Sequence, residues 1–227
     1  MRTIGVYLYP NMTMLDVLGP HQFLGLVPGF DVVTVAKSKD PVMTDTRIRL
    51  LPDHDFTSCP PLDILLVGGA ADTSAEMTDP DVMAWFRKVG ESAEYVTSVC
   101  TGALILAEAG LLDGYRATTH WMAKEQLASY PEIEVTEGRV VTDRNRITGG
   151  GVTAGIDFGL TLIAQLAGPE TAAALQLMGE YDPQPPTPYG NPANCPPELV
   201  EAVRSQWAEM APAQLEFFAA KERLAAR

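Results

Sequence analysis

Residues 95–104 read Tyr-Val-Thr-Ser-Val-Cys-Thr-Gly-Ala-Leu, and this stretch decides the fold. Tyr95 to Val99 is a short β-branched, apolar run of the kind that makes a buried strand. Cys100-Thr101-Gly102 then breaks the run, and Ala103 to Leu112 is rich in Ala, Leu and Ile, the composition of a buried helix. A strand ending in a nucleophile-type residue, then a small residue, a glycine and a helix, is the layout of a nucleophile elbow. There a sharp turn lifts one side chain above the sheet. The helix N-terminus is expected to lower the pKa of Cys100 toward a reactive thiolate. Free N–H groups of the first helical turn would cradle an anion. The plain alternative is a buried core thiol, as free cysteines often are; the strand–Cys–Thr–Gly–helix order argues for the elbow.

Outward from this unit, strand and helix patterns alternate. Thr3 to Leu8, Asp31 to Ala36 and Leu62 to Val67 read as strands, with Arg47 to Leu51 as a short hairpin piece. Leu15 to Leu26 and Asp79 to Ser92 have helical spacing, the latter with Pro80 in the first turn where proline is tolerated. Beyond the elbow, Ala103 to Leu112 stops at Asp113-Gly114, a helix-ending glycine signal. Arg116 to Thr119, Val135 to Asp143 and Arg146 to Thr148 are strand material. Lys124 to Ser129 and Thr153 to Leu166 are helices, the second closed by Gly168-Pro169. Continuous apolar strands alternating with helices predict a three-layer α/β sandwich on a mostly parallel sheet. Asp182 to Pro197 holds seven of the 18 prolines, so it is an extended arm, read equally as a linker or as a strap over this chain or a second subunit. Residues 198–227 read as one or two polar amphipathic helices. Residues 1–227 thus form one domain with an appendage.

Composition narrows the function. With 227 residues, 46% hydrophobic, the chain can fill one sizeable core. Sixteen basic against 29 acidic residues give a net charge of −13, which repels nucleic-acid backbones and anionic membrane surfaces. No apolar run approaches the roughly 20 residues that span a bilayer. The first apolar run is too short for a signal-peptide core, so the expected location is the cytoplasm. Cys59, Cys100 and Cys195 are widely spaced, and His21, His54 and His120 lack the helical i, i+4 spacing. That pattern predicts neither a disulfide framework nor a metal site. Gly149 to Gly151 does not fit the dinucleotide fingerprint in frame, so a dinucleotide site is rejected.

Two further features sit where α/β clefts form, beyond the carboxyl ends of strands. Asp16 follows the first strand and is either a helix N-cap or a cleft acid. Gly68-Gly69-Ala70 ends the third strand, and its N–H groups are candidate oxyanion donors beside a plain-turn reading. His120, in Ala-Thr-Thr-His-Trp (117–121), is the obvious base for a Cys–His enzyme, or a packed histidine beside a tryptophan. Cys59 and Cys195, next to prolines, keep the bland reading.

The motifs Tyr95–Leu104, Ala117–Trp121 and Thr148-Gly-Gly-Gly-Val-Thr-Ala-Gly-Ile-Asp-Phe158 resemble the ThiJ/PfpI superfamily of glutamine-amidotransferase-like α/β sandwiches. Tyr9-Pro-Asn-Met-Thr-Met-Leu-Asp-Val-Leu-Gly-Pro-His21, Cys59-Pro-Pro-Leu-Asp-Ile-Leu-Leu-Val-Gly-Gly69 and Gly179-Glu-Tyr-Asp-Pro-Gln-Pro-Pro186 resemble its isocyanide hydratase branch. The resemblance covers roughly residues 3 to 190. Its Cys-Thr-Gly and triple-glycine motifs also occur in the N-terminal domains of AraC-type regulators. PfpI-type proteases carry His after the nucleophile where this chain has Thr101, and many members carry Glu where this chain has Asp16.

The resemblance implies a flavodoxin-like fold, a homodimer, no metal or organic cofactor, and isocyanides as substrates. It casts Cys100 as nucleophile and Asp16 as proton carrier, with the Thr101 hydroxyl near the sulfur and the Gly69, Ala70 and Thr101 N–H groups stabilising charge. His120 stays outside this catalytic set. A thiolate and a carboxylate in contact repel, so the pair is expected to share one proton. The alternatives are a glyoxalase- or deglycase-like enzyme using the same residues, or a ligand- or redox-sensing module working through Cys100 oxidation. A regulator would need basic residues and a helix-turn-helix, for which this acidic chain is expected to have no room.

Overall fold

The computed structural model describes residues 1–225; residues 226 and 227, the end of the expected C-terminal segment, lie outside the described residues. In chain order the strands are β1 (Arg2–Tyr7), β2 (Phe30–Ala36), β3 (Val42–Met43), β4 (Arg49–Leu50), β5 (His54–Asp55), β6 (Ile64–Val67), β7 (Tyr95–Val99), β8 (Arg116–Ala117), β9 (Glu134–Val135), β10 (Val140–Asp143) and β11 (Arg146–Gly149). The helices are α1 (Met14–Leu24), α2 (Ser74–Thr78), α3 (Pro80–Ser92), α4 (Gly102–Glu108), α5 (Lys124–Ala128), α6 (Ala154–Ala167), α7 (Pro169–Met178), α8 (Pro197–Met210) and α9 (Pro212–Ala225).

Every residue of β6 is fully buried, as are Val96 and Val99 of β7. Burial on both faces is why these strands are apolar without alternation. The main sheet runs β10-β11-β7-β6-β1-β2-β5. Its pairings are parallel except β10 with β11. Helices flank it: α1 packs on α6 and α6 on α7, while α4 packs on α2 and α5, and α2 on α9. Leu104, Ile105 and Leu106 of α4 are all fully buried, which its uniformly apolar sequence requires. The chain leaves β1 toward β2 on one side and later enters β6 on the other. This reversal opens a crevice beyond the carboxyl ends of the central strands. The turns after β1, β6, β7 and β11 all converge there.

Several boundaries differ from the sequence reading, each for a local reason. Helix α4 ends at Glu108 rather than Leu112, because Gly110 at φ 77° turns the chain two residues later. Gly168-Pro169 closes α6 as expected but also opens α7, with Pro169 at the first helical position. Proline has no N–H to lose there, so the closing signal doubles as a start signal. The 135–143 segment splits between β9, which pairs with β8 away from the main sheet, and β10. Arg116 to Thr119 contributes only its first two residues as strand. The proline arm contains one 3-10 turn, Pro192–Asn194, rather than being extended throughout.

Candidate active site

Strand β7 delivers Cys100 into the crevice with φ 60°, a left-handed conformation that a non-glycine residue adopts only under constraint. The constraint is visible on both sides of the residue. Its N–H donates to the carbonyls of Gly149 (3.1 Å) and Gly150 (2.9 Å), and its own carbonyl accepts from Thr119 Oγ1 at 2.9 Å. Close approach then requires glycine at two places. A Cβ on Gly102 would collide with the Val67 carbonyl, and one on Gly69 would collide with Thr101. The elbow expected from the sequence is therefore present.

Asp16 reaches the same crevice from α1. It is not the helix cap; Thr13 holds that position, and Asp16 turns inward with 0% of its surface exposed. One carboxylate oxygen, Oδ2, accepts from Gly69 N–H at 2.7 Å, while Oδ1 is buried without a hydrogen-bond partner among the described residues. Burial pushes the Asp16 pKa up from 3.8 to about 7, opposed by the Gly69 N–H and by the Cys100 thiol beside it. Asp45, which caps the first turn of α1 at the Met14 N–H (3.1 Å), adds a small upward push.

The thiol shifts in the same direction. Burial first, and the Asp16 charge second, hold Cys100 well above its ordinary value, while the N–H groups of Val152 and Thr101 act against that rise. The expectation that the helix N-terminus lowers this pKa is corrected here. Cys100 is only 5% exposed, and α4 is seven residues long, so desolvation outweighs the helix field. Between about pH 7 and the much higher range of the thiol, the pair therefore holds a single proton.

Gly69 and Ala70 are at the site, but their N–H groups are not free. Gly69 N–H is spent on Asp16 Oδ2, and Ala70 N–H donates to Thr101 Oγ1 at 2.9 Å. Both expected oxyanion donors are thus engaged within the protein, while the N–H groups that oppose the rise in the thiol's pKa are those of Val152 and Thr101. The Thr101 hydroxyl gives its one proton to the Ala70 carbonyl at 2.6 Å, closing a two-way clasp between the turns after β6 and β7. Its main task is thus to lock those turns together, and the sulfur competes for a hydroxyl already engaged. His120 bonds Met122 N–H through Nδ1 (3.3 Å), and burial drops its pKa to about 4, so it is neutral and turned to its own turn.

Sequence reasoning missed Val152, held at φ 27°, and Tyr9, whose buried hydroxyl donates to the Gly68 carbonyl at 2.9 Å. Nothing local marks Val152. The Tyr-Pro-Asn turn after β1 was visible, but not where the phenol would point. Beside the elbow lies a cavity of about 630 Å³ whose wall includes His120, Trp121, Arg139, Gly150 and Val152, closed on one side by Gly190, Asn191 and Pro192 of the arm. The arm lies against its own chain here. Cys100 is not part of this wall; its N–H bonds the carbonyl of Gly150, which is. Among the described residues, no group of three or more His, Cys, Asp or Glu side chains is gathered as a metal site, and no helix is long and apolar enough to cross a membrane.

A parallel α/β sandwich with a strained cysteine elbow and an inward acid defines a known class: residues 2–165 match the DJ-1/PfpI family, and the chain belongs to it. Among its relatives, the isonitrile hydratase of Pseudomonas putida is 43% identical over 203 residues, 89% of this chain and 89% of that protein. A THiJ/PfpI family protein from Pseudomonas syringae superposes with a TM-score of 0.88 at 42% identity, covering 97% of this chain and 90% of its own. The HTH-type transcriptional regulator CdhR of Pseudomonas aeruginosa is 38% identical over 133 residues, 58% of this chain and 39% of the regulator.

The buried acid has a measurable signature. Its folded pKa is raised, so the stability it brings is full below about pH 4 and is lost as pH rises through 7. Asp16→Asn keeps an oxygen for Gly69 N–H and removes the charge. It should fold normally and melt about 4 °C above the parent at pH 8, with the gap narrowing at pH 5. A lower melting temperature at pH 8 would mean that the carboxylate itself stabilises the fold.

Proposed function

We propose that this chain is an isonitrile (isocyanide) hydratase, adding water to R–N≡C to give an N-substituted formamide. The observation that carries the reading is the buried Asp16–Cys100 pair, which holds one proton around neutral pH. The relative that is an isonitrile hydratase, matched over 89% of both chains, supports it. The terminal carbon of an isonitrile must accept a nucleophile and a proton, and this pair carries one of each.

In the first step the Cys100 sulfur bonds that carbon as the pair's proton moves, through Asp16, to the same atom. The product is a thioimidate, R–N=CH–S–Cys100, and Asp16 is left as carboxylate. Asp16 then takes a proton from water while the oxygen adds to the carbon, and delivers that proton to the nitrogen. Collapse to the formamide breaks the C–S bond, and the second water proton returns to the pair. The N–H groups of Thr101 and Val152 hold the sulfur's charge as it enters and leaves. The Thr101 clasp keeps the two turns in register, and the cavity beyond Val152 offers room for R. Burial and a raised pKa both slow peroxide attack on the thiol, which weighs against the redox-sensing alternative.

Three outcomes test this. Cys100→Ala should abolish isonitrile loss, and Asp16→Asn should lower it by about 10²–10⁴-fold; Cys59→Ala and Cys195→Ala should stay within about twofold. A mass adduct on the Cys100 peptide should build up under turnover. Full activity in Cys100→Ala would end the mechanism. The rate should also fall about tenfold per pH unit below pH 7, because a second proton on the pair removes the nucleophile, and should be flat just above it. An acid limb near pH 4 would mean that an ordinary exposed carboxylate, not Asp16, governs the reaction.

The working form is proposed to be a cytoplasmic homodimer. Because the arm folds onto its own chain, the dimer rests instead on exposed apolar side chains, Leu15 and Leu26 around α1 and Ile48 and Leu51 around β4. Light scattering at micromolar concentration should give twice the chain mass, and a particle of 24.5 kDa would refute it.

A further inference from the structure

The described C-terminal helices lie outside the segment that matches the family, yet one of them reaches the catalytic turns. Gln214, in the first turn of α9, is a polar side chain with 0% exposure. Its Oε1 accepts from Thr73 N–H (2.7 Å) and Thr73 Oγ1 (2.8 Å), and its Nε2 donates to Gln126 Oε1 at 2.8 Å. Its backbone N–H donates to Asp72 Oδ2 at 3.2 Å. Every polar group of the side chain is thus engaged, as a buried amide requires. Helix α9 is itself fixed to the far end of the nucleophile's helix through Lys221 on Glu108 (2.9 Å), and Phe218 packs edge-on to Tyr130, whose hydroxyl bonds the same Glu108.

Thr73 ends the loop that leaves β6. Three residues earlier, the same loop holds Thr101 through Ala70, and four residues earlier it holds Asp16 through Gly69 N–H. We propose that Gln214 is a positioning residue for the Asp16–Cys100 pair: from α9 it fixes the distal end of the Gly68–Thr73 loop, so that the Gly69 and Ala70 contacts keep their geometry. This rests on the hydratase reading for what the pair does, but not for whether Gln214 holds it. Gln214 carries no charge, and the titratable groups acting on Asp16 are Cys100 and Asp45, with Tyr9 sensing its charge. A titration change on replacing Gln214 therefore reports a weakened Gly69 contact rather than a deleted charge.

The test uses the full chain with Gln214→Leu, Thr73→Val, Thr73→Ser and Lys221→Met. Two readouts are taken against pH: isonitrile turnover, and the rate at which iodoacetamide alkylates the Cys100 peptide, followed by mass. Gln214→Leu should lower kcat about tenfold with KM within twofold, and raise the lower inflection of both profiles by at least half a pH unit. Thr73→Val should do the same to a smaller extent, about threefold, and Thr73→Ser should restore parent behaviour. Lys221→Met should lower the melting temperature without moving either inflection. If Gln214→Leu does not fold, the Thr73 pair carries the test. Unchanged inflections and kcat in the folded Gln214 or Thr73→Val variants, or an equal shift in Lys221→Met, would overturn the proposal. If the parent chain does not consume isonitriles, the hydratase reading fails, while the alkylation profiles still decide the role of Gln214.

Discussion

A carboxyl group with no exposed surface, held by one N–H and facing a buried thiol, is the constraint around which this crevice is arranged. Leaving Asp16 Oδ1 without a partner costs free energy that an exposed acid would not incur. The surroundings accept that cost and hold the acid in place. Tyr9 bonds the Gly68 carbonyl, Thr13 N–H bonds the Gly69 carbonyl at 2.8 Å, and Thr101 clasps Ala70 on both its polar groups. Each contact ends on the backbone of the turn after β6. That turn is where a sheet strand stops, so the acid inherits its position from the sheet.

The same arrangement explains why the thiol is not activated in the usual way. A reactive cysteine ordinarily has its pKa lowered by a neighbouring cation or base. Among the described residues an acid and no cation acts on it, and His120 is neutral and engaged with Met122. The resting thiol is therefore a poor general nucleophile. In the proposed mechanism it becomes competent when its proton passes to Asp16, which suits an electrophile that needs that proton at the very carbon under attack. Peptide bonds need it on a leaving nitrogen instead, and Thr101 occupies the position from which an adjacent histidine would supply it.

The elements that create the crevice were legible because they depend on local pattern. Continuous apolar strands, the Cys-Thr-Gly switch and the glycines after β6 placed Cys100, Thr101, Gly69 and Ala70 at strand ends from sequence alone. What those groups bond to was not legible. Two N–H donors free on paper prove to be occupied, because Asp16 and Thr101 arrive from elements 53 and 31 residues away. Burial decided the thiol's pKa against a helix-terminus argument that considered only its neighbours in sequence. Asp16 was readable as a candidate but not as an inward-facing one, since a cap and a cleft acid share the same local signal. Val152, whose N–H in the turn after β11 opposes the rise in the thiol's pKa, has no local signal at all.

The preference for backbone partners at this site has a physical consequence for precision. A side chain such as Lys or Glu carries several rotatable bonds, so a contact built on it transmits position poorly. The N–H groups of Gly69, Thr101 and Val152 have no such freedom, and each follows directly on β6, β7 or β11, three neighbouring parallel strands. A fixed spacing between strands thereby becomes a fixed spacing between the Asp16 carboxyl and the sulfur. Glycine at 69 and 102 is what lets the backbones approach closely enough for this, because any Cβ there meets Thr101 or the Val67 carbonyl. The left-handed strain at Cys100 follows from the same geometry. A relaxed residue could not send its side chain toward Asp16 while its N–H and carbonyl stay bound to Gly150 and Thr119, so the strain is the conformational cost of bringing nucleophile and acid together on a rigid frame.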